Sequence, residues 1–130
     1  MKAARILLVE DEEALRQLLA KYLVRLDFEV EATPNAEEAW NQFSRDPAHY
    51  SLLLIDLTLP GMPGDELMRR ALAASPVVRV LLSSGFPYEL GGLPPEFRSR
   101  AAFLQKPYLP RQLADQINTM LRAAGLSATK

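Results

Sequence analysis

The sequence predicts one α/β domain, a doubly wound sheet of five parallel strands with helices on both faces. Short apolar runs without polar alternation lie at residues 6–9 and 52–55, which is typical of strands buried on both faces. Segments with helical spacing of apolar residues separate such runs. Alternating strands and helices need right-handed crossovers and therefore form a parallel sheet.

The first half of the chain supplies two strands and two helices. Residues 6–9 form the first strand, and residues 29–32 alternate as an edge strand does. From Ala14 the apolar residues recur every three or four positions, which predicts a helix that packs this stripe on the sheet. A capping box of Asn35 and Glu38 opens the second helix. The stripe of the first helix consists of Leu15, Leu18, Leu19, Tyr22, Leu23 and Leu26.

The second half continues the alternation. The predicted elements are a third strand over 52–55, a helix over 65–74, a fourth strand over 77–82, a fifth strand over 103–105 and a last helix from Pro110 to a Gly125 cap. For five strands in a domain of this size, the flavodoxin-like order 2-1-3-4-5 is expected. We assign residues 1–125 to the domain and 126–130 to a C-terminal tail.

One connection differs from the others. The segment between Pro87 and Arg100 carries two glycines and two prolines within nine residues, and these cost roughly 1 and 3 kcal/mol each inside a helix. We therefore expect an atypically short fourth helix there, no longer than about two turns, and high mobility relative to the sheet.

Composition excludes several classes of protein. The 130 residues contain no cysteine, so disulfides, thiolate metal sites and cysteine nucleophiles are excluded. Fifteen basic and sixteen acidic residues give a net charge of -1, without the basic run expected of a nucleic-acid binder. No apolar stretch is long enough to cross a bilayer. We expect a cytoplasmic protein that binds neither nucleic acid nor membrane.

Polar side chains follow the predicted strands at the carboxyl edge of the sheet, where open α/β folds bind ligands. Glu10 and Asp11 follow the first strand and Asp56 ends the third, next to it in the predicted order. Three converging carboxylates repel one another, and a bound divalent cation would relieve the repulsion. Because all of the ligands are oxygen atoms, Mg²⁺ is the expected cation. Ser84 and Lys106 follow the fourth and fifth strands. Carboxylate, metal, lysine and hydroxyl together suit phosphoryl transfer to a carboxylate nucleophile.

Each of these residues also has a simpler interpretation. Asp56 or Ser84 alone is typical of a turn, and the acidic pair is typical of the first turn of a helix. Lys106 with Pro107 is a common loop dipeptide. The ordered set at four strand ends is what favours a site.

The same residues resemble the receiver domains of two-component response regulators, over nearly the whole chain. Glu10 with Asp11 match the acidic pair of that family, and Asp56 matches its phosphoacceptor. Ser84 followed by Gly85 and Lys106 followed by Pro107 match the motifs after its fourth and fifth strands. The sequence around these two motifs resembles receivers attached to hybrid sensor histidine kinases.

The resemblance implies a role for each residue. Asp11, Asp56 and the backbone carbonyl of Thr58 would bind Mg²⁺ directly, and Glu10 would bind through water. Lys106 and Ser84 would contact the phosphoryl group. Phe103, three residues before the lysine, matches the aromatic residue that changes rotamer when the domain switches.

The implied function is a receiver in a phosphorelay that switches conformation on phosphorylation. A sensor histidine kinase or a histidine phosphotransfer protein would donate phosphate to Asp56, and the domain would catalyse that transfer and the later hydrolysis. The chain would be a stand-alone receiver or a module of a larger protein. One alternative is a Mg²⁺-dependent phosphatase with an aspartate nucleophile, although such enzymes carry a second Asp where this chain has Thr58. Another is a phosphate-independent interaction module of receiver shape.

Overall fold

The computed structural model of the protein describes residues 4–125 and contains a five-stranded parallel sheet. The strand order is β2-β1-β3-β4-β5, which confirms the predicted topology. The tail predicted at 126–130 lies outside the described residues. The elements are β1 (Arg5–Val9), α1 (Glu13–Arg25), β2 (Glu29–Thr33), α2 (Ala36–Arg45), β3 (Leu52–Asp56), α3 (Gly64–Ala74), β4 (Arg79–Ser84), α4 (Pro95–Arg98), β5 (Ala101–Gln105) and α5 (Pro110–Ala123).

Two apolar cores lie on opposite faces of the sheet. The larger core packs α2 and α3 on one face and includes the fully buried Phe43 and Met68. The other packs α1 and α5 on the second face and includes Leu23 and Ile117. Strands β1 and β3 feed alternate side chains into both cores, which explains their unbroken apolar runs.

The stripe predicted for α1 is wider than the surface that the helix buries. Leu23 is the buried residue of the helix, whereas Leu18 is 65% exposed. The expectation that the whole stripe packs on the sheet was wrong. The physical reason is that α1 lies beside α5, and the two helices leave an open apolar groove of about 670 Å³ along one side of the stripe.

Helix α2 begins as its sequence predicts. The Asn35 side chain accepts a hydrogen bond of 2.8 Å from the backbone N–H of Glu38. The Glu38 carboxylate accepts from the Asn35 side-chain amide, at 2.9 Å, rather than from the backbone N–H of a full capping box. The cap therefore forms with a different second hydrogen bond.

Strand β4 lies two residues later than the apolar run suggested, over Arg79–Ser84 instead of 77–82. The backbone N–H groups of Val77 and Val78 both donate to the Ser75 hydroxyl, at 3.2 and 3.1 Å. These hydrogen bonds make a turn before the strand, and Val78 is buried there without belonging to the sheet. Ser84 is consequently the last residue of the strand.

The fourth helix is short, as predicted, with four residues over Pro95–Arg98. Arg100 holds this segment against α3 because its guanidinium donates to the carbonyl oxygens of Leu72 and Ser75, at 2.8 and 2.7 Å. The same guanidinium makes a cation–π contact with Phe97 of α4, with Arg100 Cζ 6.0 Å from the ring centroid. Side-chain hydrogen bonds thus replace part of the packing that a longer helix would supply.

Within residues 4–125, no helix has the length and apolar character required to cross a membrane.

Candidate phosphoryl-transfer site

Three carboxylates meet at the carboxyl edge of the sheet, as the sequence predicts. Glu10 follows β1, Asp11 is the next residue, and Asp56 ends β3. One oxygen from each of these groups lies within 4.8 Å of the others. Glu10 and Asp56 are buried, at 3% and 8% exposure, whereas Asp11 is exposed. An all-oxygen donor set open on one side fits Mg²⁺, which keeps several of its waters when a protein binds it.

Lys106 supplies the positive charge of the cluster. Its Nζ lies 3.7 Å from Asp56 Oδ2 and 3.6 Å from Glu10 Oε1. The backbone N–H of Lys106 donates to the Ser84 carbonyl at 2.7 Å, so β4 fixes where the lysine leaves the sheet. One ammonium facing two carboxylates leaves a net negative charge that favours a cation.

Thr58 orients the Asp56 carboxylate. Its backbone N–H and its hydroxyl both donate to Asp56 Oδ1, each at 3.2 Å. Asp56 Oδ1 is therefore occupied by two donors, while Oδ2 faces Lys106. The family resemblance implies a role for the Thr58 carbonyl alone, so the contact made by its hydroxyl is additional.

Burial dominates the electrostatics of Glu10. Desolvation raises the pKa of this carboxyl above its usual range, and the nearby charges of Asp56 and Asp11 act in the same direction. A backbone hydrogen bond from Glu12, 3.1 Å long, and the charge of Lys106 oppose the shift without cancelling it. Glu10 therefore holds its proton more tightly than a carboxyl exposed to water does.

Ser84 and Phe103 lie apart from the carboxylates. The buried Ser84 hydroxyl accepts a hydrogen bond from the backbone N–H of Phe86 at 3.0 Å. Phe103 is half-buried against the larger core, and its ring centroid lies 6.3 Å from that of Tyr88. Within residues 4–125, the Ser84 hydroxyl makes no hydrogen bond to the acidic cluster.

Two hydroxyl groups beside the cluster were missed by the sequence analysis. Ser83 is the direct cross-strand neighbour of Asp56, and Tyr108 lines the same small cavity as Glu10 and Lys106. The alternation of β4 could have identified Ser83, because the residue opposite Asp56 shares its face of the sheet.

Glu37, in the first turn of α2, was missed as well, and it holds the loop after β3. Its Oε2 accepts a hydrogen bond of 3.0 Å from the backbone N–H of Met62. Gly61 has a φ of +77°, and a Cβ at this position would lie 2.6 Å from the same oxygen. A side chain at residue 61 would therefore push this carboxylate away from the loop.

The fold and the site together define an α/β protein of flavodoxin-like topology with a carboxylate cluster suited to a divalent cation. Comparisons with known proteins agree. The chain matches the family model of the response regulator receiver domain over residues 6–118. The chain therefore belongs to the response regulator receiver family of two-component signalling.

Three known proteins match this chain over nearly their whole length. The chain is 34% identical over 120 residues to the response regulator receiver protein CpdR of Brucella abortus, an alignment that covers 92% of this chain and 98% of that protein. A CheY-like receiver from Methanospirillum hungatei has a TM-score of 0.82 at 26% identity and covers 95% of this chain and 98% of its own. The receiver domain of the hybrid histidine kinase CckA has a TM-score of 0.77 at 29% identity, with 91% and 99% coverage. The chain spans about half the length of several other curated relatives.

Proposed function

We propose that Asp56 accepts a phosphoryl group from a phosphohistidine of a sensor histidine kinase or a histidine phosphotransfer protein. The observation that carries this proposal is the placement of Asp56 between two other carboxylates and the Lys106 ammonium. A carboxylate beside a metal site and a lysine is arranged to attack phosphorus while the developing charge is neutralised. Membership of the receiver family supports the same function.

The transfer exchanges one bond for another. A carboxylate oxygen of Asp56 attacks phosphorus, the bond between phosphorus and the imidazole nitrogen breaks, and the released imidazole takes up a proton. Oδ2 is the better nucleophile, because Oδ1 already accepts two hydrogen bonds from Thr58. Lys106 then holds a phosphoryl oxygen, and Ser84 moves to donate a hydrogen bond to another.

Mg²⁺ would be held by Asp11, Asp56 and the Thr58 carbonyl, with Glu10 binding through water. The bound ion would neutralise phosphoryl oxygens and relieve the repulsion among the carboxylates. Glu37 supports this set by holding the loop that follows Thr58. Movement of Ser84 would leave space into which Phe103 turns, and this packing change would be the signal.

The groove between α1 and α5 fits the phosphodonor. Leu15, Leu18 and Leu113 line it, and so does Lys106 of the site. A helix of the donor seated on this apolar surface would lie beside Asp56, close enough to deliver a histidine. With only a four-residue α4, recognition depends on this face rather than on a fourth-helix surface.

The first experiment is incubation with acetyl phosphate and Mg²⁺, followed by mass spectrometry or phosphate-affinity electrophoresis. We expect one phosphate per chain, loss of labelling when the metal is chelated, and none in Asp56→Asn, which keeps the shape but removes the nucleophile. Labelling of that variant would refute the assignment. Repeated turnover of an aryl phosphate would favour the phosphatase alternative instead.

The groove is tested by placing a charge on one of the residues that line it. Leu18→Arg should slow transfer from a phosphorylated histidine phosphotransfer protein by tenfold or more, on the order of the 1–3 kcal/mol lost with a buried apolar contact, while labelling by acetyl phosphate is unchanged. Val77→Arg is the matched control. Val77 is 63% exposed, close to the 65% of Leu18, but it lies outside the groove. Equal transfer rates for the two variants would place the donor elsewhere.

A further inference from the structure

Ser83 is a buried hydroxyl next to the phosphoacceptor. It pairs in register with Asp56 across β3 and β4, and the Leu57 N–H donates to its carbonyl at 2.8 Å. The residue is 3% exposed, and its Oγ has no hydrogen-bond partner among residues 4–125. Leaving a buried hydroxyl unpaired is unfavourable, so a partner at this position is expected.

Tyr108 brings a second hydroxyl to the same place. Burial raises the pKa of its phenol and the charges of Glu10 and Asp56 add to that effect, whereas the nearby Ser83 hydroxyl opposes it. The two residues line the same small cavity, yet Ser83 Oγ has no direct hydrogen-bond partner among the described residues. Both face the carboxylates from the side of α1 and α5.

The two hydroxyls line one small cavity. A cavity of about 10 Å³ is lined by Ser83 and Tyr108 together with Glu10, Asp56 and Lys106. This volume is about the minimum that a cavity needs to hold one water molecule, and a buried water requires two to four polar partners. The lining offers two hydroxyls and two carboxylates, which meets the requirement.

We propose that Ser83 and Tyr108 jointly bind one water in this cavity and through it hold the carboxylates of Glu10 and Asp56 in the orientation that binds Mg²⁺. Ser83 and Tyr108 are therefore positioning residues. The proposal rests on the proposed function, since it assigns a role to the same site.

The chemistry explains why hydroxyls suit this position. A water held by two hydroxyls can donate both of its protons to the carboxylates, and such hydrogen bonds to charged groups are stronger than neutral ones. The carboxylates are then held from inside the protein while their other lone pairs remain free for a cation. An apolar residue in place of Ser83 would leave that inner side unsupported.

The test is a double-mutant cycle with Ser83→Ala, Tyr108→Phe and the double variant, read by calorimetric titration with Mg²⁺. Each single substitution removes one hydroxyl and should weaken Mg²⁺ binding about threefold to tenfold, the size of one hydrogen bond. The double variant should be little worse than either single one, because both hydroxyls hold the same water. Ser83→Thr keeps the hydroxyl and should restore most of the affinity.

Tyr22→Phe is the matched control. It also removes a phenol, whose hydroxyl donates to the Pro110 carbonyl at 3.0 Å away from the carboxylates, and it should leave the Mg²⁺ affinity unchanged. Unchanged affinity in all three site variants, or fully additive losses in the double variant, would overturn the proposal. A crystal structure of the wild type with only apolar contacts at Ser83 Oγ would do the same.

These outcomes separate the proposal from the proposed function. If the wild type binds Mg²⁺ but acetyl phosphate does not label it, the function fails while the cycle still decides the role of Ser83 and Tyr108. If labelling depends on Asp56 but the cycle shows no coupling, only the positioning role fails. A wild type that binds no Mg²⁺ would overturn both.

Discussion

Two clusters of polar side chains lie on the same sheet, one around Glu10 and Asp56 and the other around Glu31. They differ in how the negative charge of the carboxylates is balanced. At the carboxyl edge, Glu10 and Asp56 share one lysine at 3.6 and 3.7 Å, both longer than a hydrogen bond. Over β2, Glu31 accepts hydrogen bonds from the Tyr50 hydroxyl at 2.7 Å and from Arg5 at 3.2 Å. His49 is a third partner of this carboxylate, with its Nε2 atom 3.2 Å from Glu31 Oε2.

The pKa values of these groups move in opposite directions. Burial raises the pKa of Glu10, and the surrounding donors do not offset it. Burial acts on Glu31 in the same direction, but the hydrogen bonds from Tyr50, His49 and Arg5 outweigh it and lower its pKa. The comparison teaches that one cluster is satisfied by the protein alone, whereas the other is left short of positive charge, as a site for a cation and a phosphoryl group requires.

The largest effect is expected at the lysine of the unsatisfied cluster. Lys106→Ala should slow labelling by acetyl phosphate by about 100-fold or more, the usual cost of removing a group that stabilises transition-state charge. Mg²⁺ binding should persist, because the ammonium faces the carboxylates without being a metal ligand. Labelling kinetics and calorimetry measure the two effects, with the exposed Lys21→Ala as control. Loss of Mg²⁺ binding in Lys106→Ala would contradict the role given to the lysine.

The second effect concerns the satisfied cluster and is one of stability. Glu31→Ala removes the acceptor shared by Tyr50, Arg5 and His49 and should lower the free energy of unfolding by about 1–3 kcal/mol. Urea denaturation monitored by circular dichroism measures the loss. Labelling of Asp56 by acetyl phosphate should not change, since this cluster is not part of the site. If Glu31→Ala is fully folded and its labelling kinetics still differ from those of the wild type, the two clusters are coupled.

A smaller effect of opposite sign is expected at Glu10. Glu10→Gln removes a buried charge from a repulsive cluster, so the variant should be more stable than the wild type at neutral pH without metal. Added Mg²⁺ should stabilise the wild type, because it binds the folded state, and should stabilise the variant less. Thermal melts with and without Mg²⁺ measure both changes. A variant less stable than the metal-free wild type would indicate that Lys106 already balances Glu10.

The smallest effect is the pH dependence that distinguishes the clusters. Because the pKa of Glu10 is raised above 4.5 on folding, the folded protein holds this proton more tightly than the unfolded chain does. The stability of the metal-free wild type should therefore fall as pH rises from 4.5 through the pKa of Glu10 in the folded protein. Because the pKa of Glu31 is lowered below 4.5, its stabilisation should be complete above this value and lost as pH falls below it. The two trends are measured as the difference in urea midpoint between the wild type and each of Glu10→Gln and Glu31→Gln, from acid to neutral pH. Parallel trends would refute the contrast.

Much of the fold was predictable because it depends on local patterns. Unbroken apolar runs marked β1 and β3 as central strands, and the glycines and prolines after Gly85 predicted a short α4, observed at Pro95–Arg98. The pattern was less reliable where an apolar residue had a choice of partners. Val78 is buried in a turn rather than in β4, and Leu18 belongs to the stripe of α1 yet is exposed.

The order of polar residues along the chain was sufficient to predict the meeting of Glu10, Asp11, Asp56 and Lys106, because the ends of parallel strands share one edge of the sheet. What only the tertiary structure decided is which donors each carboxylate receives. Tyr50 reaches Glu31 from 19 positions away, and Ser83 becomes the neighbour of Asp56 through the register of β3 and β4. Hydrogen bonds act over about 3 Å in space, so the position of a side chain in the sequence does not determine whether one forms.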